Sequence, residues 1–270
     1  MIDVHCHILP GLDDGSENWD LSLKMARMAV EDGITGIVCT PHWSPAFPGN
    51  NREVVLAAVE EFRSRLKDAG IALEIYPGCE MVMHFDLPEK IEANEILTIN
   101  DSRKFALVEM PHEVIPPNVD HLFWMLRVKG VTPILGHPER NWMVMKKPGL
   151  MQKWVESGVL VQITAASLVG HFGREVREVS INLLKRRMVH FVATDSHNCG
   201  RRKPILSEAR ALATSIIGSN EAERIFSEIP ACIVRGDLPE MLEPLPPAEK
   251  KSSFLDRFFS FRRDFYRKCG

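Results

Sequence analysis

His5 and His7 stand two residues apart in the opening run Met1-Ile2-Asp3-Val4-His5-Cys6-His7-Ile8. Side chains alternate faces along a strand, so with Met1 to Ile8 extended both imidazoles leave the backbone on one side and can share a metal ion. Asp3 lies on the same face, placed to fix the tautomer of a metal-bound imidazole. Leu12-Asp13-Asp14-Gly15 then turns the chain and sets carboxylates just past the strand end. Taken alone, a His-x-His pair reads more simply as two incidental histidines on a buried strand. The rest of the chain reverses that reading, because later strand-like segments also end in His, Asp or Glu. Their ends supply His42, Glu80, Glu109, His137, Asp195 and His197, which with His5, His7 and Asp14 make nine candidate ligands. Nine exceed the roughly four to six positions of one ion, so two or three ions sharing bridging carboxylates are expected. Imidazole and carboxylate without thiolate suit manganese, iron, cobalt or zinc.

The elements that must carry these residues alternate between strand-like and helix-like, which predicts a parallel β/α architecture. After the first strand, Trp19 to Glu31 is helical and Gly33 closes it. Gly36 to Thr40 ends in Pro41-His42, and a polar loop, Trp43 to Asn51, precedes a long amphipathic helix reaching Ala69. Leu73 to Pro77 leads to Gly78-Cys79-Glu80, a short helix covers Pro88 to Asn94, and Phe105 to Val108 leads to Glu109. The helix Val119 to Lys129 stops at Gly130, and Val131 to Leu135 delivers Gly136-His137-Pro138-Glu139-Arg140. Val159 to Thr164 is a strand, Arg174 to Arg187 a helix, and His190 to Thr194 a strand running into Asp195-Ser196-His197. Helices over Pro204 to Ile217 and Glu221 to Glu228 complete the body. Seven strands result, and in parallel barrels polar residues at the carboxyl ends of strands converge on one mouth. His84, His112, His121, His171 and His190 fall elsewhere and are set aside as structural or exposed.

Composition bounds the class. A chain of 270 residues, 45% hydrophobic, can fill one large α/β barrel. The formal net charge of −3 offers no nucleic-acid surface over the body of the chain. No apolar run approaches the ~18 residues of a membrane span, and the N-terminus reads as a strand rather than a signal peptide. Six cysteines, at 6, 39, 79, 199, 232 and 269, fit neither a disulfide framework nor a zinc motif, so a reducing cytoplasm is expected. Alternation turns Cys6 and Cys79 away from the ligand face, as small core hydrophobes.

In combination, His5-x-His7, Thr40-Pro41-His42, Gly78-Cys79-Glu80, His137-Pro138-Glu139-Arg140 and Asp195-Ser196-His197 resemble the PHP (polymerase and histidinol phosphatase) superfamily. The Asp13-Asp14-Gly15 opening and Asn100-Asp101-Ser102-Arg103 are similar to the bacterial manganese-dependent protein-tyrosine phosphatases of the CpsB/CapC type. The resemblance runs from residue 1 to about residue 235. It implies an α/β fold, a distorted seven-stranded (β/α) barrel, and two or three divalent ions, manganese foremost. His5, His7, Glu80 and Asp195 would hold the first, Glu80, Glu109 and His137 the second, and Asp14, His42 and His197 the third. Arg140 and either Arg201 or Arg202 match the family's phosphate-binding arginines. The implied reaction is hydrolysis of phosphotyrosine in proteins, with metal-activated hydroxide attacking phosphorus and His42, His197 or a bound water protonating the leaving phenolate. The implied partner is a membrane-associated tyrosine kinase of capsule or exopolysaccharide synthesis. A homo-oligomer is compatible with the sequence.

Other chemistries fare worse. Cysteine-based tyrosine phosphatases place an arginine six positions after the nucleophile, and Leu12, Pro45, Phe85, Ile205 and Leu238 stand at those positions after Cys6, Cys39, Cys79, Cys199 and Cys232. A PHP phosphatase for a small metabolite such as histidinol phosphate is the nearest alternative. A non-catalytic module that holds a metal is the alternative from outside enzymology. Trp43, Phe47 and Trp142 are candidates for an aromatic wall around a phosphotyrosine ring, with packing on the loop's own base an equal reading for the first two.

The sequence divides into a barrel over 1–239, a linker over 240–251 with Pro244, Pro246 and Pro247, and a basic amphipathic helix over 252–270. Phe254, Phe258, Phe261 and Phe265 recur there at helical spacing. Seven basic against three acidic residues give 249–270 a charge of +4 and leave −7 for 1–248. Such a helix suits peripheral contact with the inner face of a membrane, or docking on the barrel or a second subunit.

Overall fold

The computed structural model describes residues 1–44 and 46–246. The expected linker is irregular as far as residue 246; its remainder and the helix expected over 252–270 lie outside the described residues.

Among the described residues all strand pairing is parallel. β1 (Ile2–Cys6), β2 (Gly36–Cys39) and β4 (Glu74–Pro77) form one sheet in the order β1-β2-β4. A second sheet takes the order β3-β5-β6-β7-β8-β9. Its strands are β3 (His42–Trp43), β5 (Glu80–Val82), β6 (Phe105–Glu109), β7 (Thr132–Gly136), β8 (Leu160–Thr164) and β9 (Phe191–Ala193). β2 and β3 belong to one extended segment broken at Thr40-Pro41, where proline has no N–H to give the ladder. β4 and β5 are likewise one segment, broken at Gly78-Cys79. The nine short strands therefore occupy seven extended segments. Beyond β9 the chain returns to β1: the Asp195 N–H donates to the His5 carbonyl and the His7 N–H to the Ser196 carbonyl, both at 2.8 Å.

Val38, Leu107, Ile134 and Ile163 are fully buried, as expected of parallel strands covered on both faces. The covering helices are cut by local chemistry. Asn18 caps Trp19–Glu31 by accepting from the Leu21 N–H at 3.0 Å, and Asn51 caps Arg52–Asp68 through the Val54 N–H at 3.0 Å. The second helix buries Val55, Val59, Phe62 and Leu66, a stripe at helical spacing. Phe62 is fully buried, and Phe62→Ala would cost about 3–5 kcal/mol. Gly33 and Gly130 close their helices at φ +87° and +76°. The helices Trp142–Lys146, Leu150–Glu156, Ala165–Val169 and Ile229–Arg235 went unanticipated, because five to seven residues are too few to show a period.

Candidate metal centre

β1 carries His5 and, one residue past its end, His7. The His5 Nδ1 faces Gln162 Oε1 on β8 at 3.0 Å, and the His7 Nδ1 donates to Asp13 Oδ2 at 2.6 Å. With each Nδ1 facing an oxygen acceptor, the neutral rings present each Nε2 as a bare lone pair, and the two Nε2 atoms lie 3.1 Å apart. Glu80 Oε2 is 3.3 Å from both, and Asp195 Oδ1 is 3.4 Å from both. All four side chains are buried. Two lone pairs and two carboxylates converging out of water repel unless a cation stands among them.

The other predicted ligands gather around this knot. His137 Nε2 is 2.8 Å from Glu80 Oε1 and 3.8 Å from Glu109 Oε1. His42 presents Nδ1 to Glu80 at 3.1 Å and to Glu109 at 3.8 Å, and Nε2 to Asp14 at 3.5 Å. His197 Nε2 lies 3.4 Å from Asp14, whose side chain stands at the rim, 59% exposed. Among the described residues three sets have ligand atoms within 4.8 Å of one another: His5, His7, Glu80 and Asp195; His42, Glu80 and Glu109; and His7, Asp14, His42 and His197. The first is the set expected from sequence. In the second, His42 stands where His137 was expected, and His7 joins the third.

Backbone geometry contributes. His137 and Asp195 adopt left-handed conformations, φ +32° and +50°, where the chain leaves β7 and β9. Such a conformation costs roughly 1–2 kcal/mol for a residue other than glycine, and both residues belong to the cluster. Gly15 packs so closely on His7 that a Cβ there would overlap the His7 carbonyl oxygen.

The residues fit a divalent cation. Glu80 Oε2, His42 Nδ1 and His197 Nε2 are buried and lack a hydrogen-bond partner, and all three face the cluster. Burial lowers the pKa of His42 and His197 and so favours the neutral, ligand-competent ring. His137 is pushed down to about 3 by burial and then by Arg140. Although burial opposes it, the Arg140 guanidinium holds Asp195 well below the usual carboxylate range. Glu109 is pushed up to about 7 by burial and the Glu80 charge.

Two arginines close one side. Arg140 and Arg202 each place Nη2 2.7 Å from Asp195 Oδ2, and each keeps a buried Nε without a partner. Arg201 is exposed and lines a small cleft with His171 and Glu208. Of the adjacent pair, therefore, Arg202 reaches the cluster. Phe47 lies parallel to the His42 ring, centroids 5.8 Å apart. Trp43 turns away, against the core and beside Lys90, in a cleft of about 510 Å³ shared with Arg52 and Glu95. Trp142 is 55% exposed.

A family model described as "Capsular polysaccharide synthesis, CpsB/CapC" matches residues 1–235. The chain belongs to the CpsB/CapC family. Tyrosine-protein phosphatase YwqE of Bacillus subtilis (strain 168) is 34% identical over 251 residues, covering 93% of this chain and 98% of its own. Tyrosine-protein phosphatase CpsB of Streptococcus pneumoniae is 27% identical over 243 residues, 88% of this chain and all of that protein. Among solved structures, a chain from the work on YwqE and CpsB, "unique metal-dependent tyrosine phosphatases", matches with TM-score 0.88 and 33% identity. That match covers 92% of this chain and 100% of the other. Histidinol phosphate phosphatase from Lactococcus lactis matches at TM-score 0.52 and 16% identity, over 83% and 94% of the two chains, a likeness of fold.

Within this CpsB/CapC chain three supporting residues escaped the sequence reading. Asp13, adjacent to the predicted Asp14, anchors His7 and accepts from the His42 N–H at 2.9 Å. Gln162 anchors His5 from β8. Glu139, in the His137-Pro138-Glu139-Arg140 turn, is fully buried and accepts from the Thr164 N–H at 2.9 Å, which ties the Arg140 turn to β8. Asp3 does not hold an imidazole as expected; its carboxylate accepts from the N–H and hydroxyl of Thr194 and locks β1 to the end of β9. His112, set aside as structural or exposed, is exposed and has its ring 5.9 Å from that of His137. Cys6 and Cys79 are buried in the core, as expected, and Cys39 is buried with them.

Proposed function

We propose that the chain is a metal-dependent phosphatase acting on phosphotyrosine in proteins. The observation that carries this reading is the pair of His5 and His7 Nε2 lone pairs, 3.1 Å apart and faced by Glu80 and Asp195, beneath two arginines with free N–H groups. His5, His7, Glu80 and Asp195 would hold one ion. Glu80, Glu109 and His137, with His42 beside them, would hold a second, and Asp14, His42 and His197 a third. When bound, such ions lower the pKa of water and offset the charge on phosphoryl oxygens.

The chain's own residues supply the rest. Arg140 and Arg202 bind the phosphoryl oxygens, where paired N–H donors fix the direction of the scissile bond. Asp195, held ionised between them, restrains both guanidiniums before substrate arrives. Gln162 and Asp13 hold the His5 and His7 rings in the tautomer that keeps Nε2 free. Phe47, stacked on His42, offers an aromatic face to the phenyl ring of the substrate. Manganese is the metal we favour, and a tyrosine kinase of capsule or exopolysaccharide synthesis the protein substrate, in keeping with the family's description.

The test compares turnover of a phosphotyrosine peptide and of histidinol phosphate by the metal-loaded protein, before and after chelation. Preference for the peptide, abolished by chelator and restored by manganese, is expected. Preference for histidinol phosphate would move the chain to metabolite chemistry. Failure to hydrolyse either substrate, or p-nitrophenyl phosphate, would leave a metal-holding module.

A further inference from the structure

Arg140 is held by more than Asp195. Its Cζ lies 5.2 Å from the centre of the Phe172 ring. Phe172 sits in the turn Gly170-His171-Phe172-Gly173, which leaves the short helix Ala165–Val169 directly after β8. The turn is tight: the Gly173 N–H donates to the Gly170 carbonyl at 3.1 Å and the His171 N–H to the Ala166 carbonyl at 2.8 Å. Both flanking glycines have φ +96°, a backbone conformation that side chains with a Cβ rarely adopt. His171 is left exposed, and Phe172 is half-buried against the guanidinium.

A guanidinium donates only in its own plane, through five N–H groups in a fixed fork. Nη2 is committed to Asp195 and Nε has no partner, so the tilt of the plane about the Asp195 contact decides where the remaining donors point. An aromatic face laid against the guanidinium fixes that tilt without consuming a donor, which a second carboxylate could not do. We infer that Phe172 is a positioning residue for Arg140, and that the glycine-bounded turn exists to place its ring so that the free N–H groups face a phosphoryl group. The inference rests on the reading of Arg140 as a phosphate-binding residue.

The experiment uses the full chain loaded with manganese, with bound metal and thermal midpoint measured on every variant. Each variant is assayed for KM and kcat on a phosphotyrosine peptide and for competitive inhibition by inorganic phosphate. Phe172→Ala and Phe172→Leu should raise KM and the inhibition constant of phosphate roughly tenfold, with metal content unchanged. Phe172→Tyr and Phe172→Trp, which keep an aromatic face, should stay within about twofold of the parent. In an Arg140→Ala background, Phe172→Ala should have no further effect. Restoration by Leu as complete as by Tyr would reduce Phe172 to packing and overturn the inference, as would an undiminished Phe172→Ala effect in the Arg140→Ala background. A Phe172→Ala protein with parental KM would also overturn it. If Arg140→Ala itself leaves KM and phosphate inhibition untouched, the reading of Arg140 fails first and the inference falls with it.

Discussion

At the scale of single residues, the two imidazoles and two carboxylates around the 3.1 Å His5–His7 contact dominate the site. Their arrangement gives the arginines separable roles. Arg140→Ala should lower kcat/KM by about 10²- to 10³-fold, the usual effect of removing a charge-stabilising donor, with bound metal unchanged. Arg202→Ala should act in the same direction, and Arg201→Ala, exposed and outside the cluster, should match the parent. Steady-state kinetics alongside metal analysis separate these outcomes. Asp13→Asn should weaken metal binding by about 10- to 100-fold, because the His7 ring loses the carboxylate that sets its tautomer; a titration with manganese measures this. Most of the ligands were legible in sequence because they stand in, or close to the end of, an extended run, as His5, His42, Glu80, Glu109, His137 and Asp195 do. Asp13 and Gln162 were not: they act through an imidazole contact that only the folded chain creates, and nothing in their local sequence marks it.

At the scale of elements, strand ends and turns aim the side chains. Gly15→Ala would force a Cβ into the His7 backbone, so it should shift the loop after β1, lower metal affinity and reduce activity without unfolding the protein. Parental metal affinity would contradict this. β8 and the start of β9 share a buried device: the His190 Nδ1 accepts from the Val161 N–H at 2.8 Å, and the His190 N–H donates to the Val161 carbonyl at 2.9 Å. Burial pushes His190 down to about 3, so the folded protein keeps it neutral while the unfolded chain binds a proton near pH 6.5. The stability it contributes is present above pH 6.5 and is lost as pH falls towards 3, by about 1.4 kcal/mol per unit. His190→Asn retains a short acceptor without this titration, so urea unfolding of that variant should depend less on pH over this range. The count of seven extended segments was readable from the alternation of apolar runs and helical stripes. The strand ends at Thr40-Pro41 and Gly78-Cys79 were readable too, but the resumption of pairing beyond them as β3 and β5 in a second sheet was not, because pairing depends on partners distant in sequence.

At the scale of the whole molecule, an acidic body is joined to a basic tail. No helix among the described residues is long and apolar enough to cross a membrane. Residues 249–270, outside the described residues, carry +4 and four phenylalanines at helical spacing. We propose that they bring the enzyme to anionic lipid, near a membrane-associated kinase. Deleting 249–270 should abolish co-sedimentation with anionic vesicles and leave peptide turnover in solution unchanged; undiminished vesicle binding would refute the role. In the body of the chain, side chains from residue 5 to residue 197 meet as a cage for cations. This cage is tested most directly by counting metal ions on the purified full chain and on Glu80→Ala, whose carboxylate lies within 3.3 Å of His5, His7, His42 and His137. Two or three manganese ions per chain in the parent, with a loss of both metal and phosphotyrosine turnover in Glu80→Ala, is the predicted result. A parent that hydrolyses phosphotyrosine at full rate with less than one metal ion per chain would contradict it.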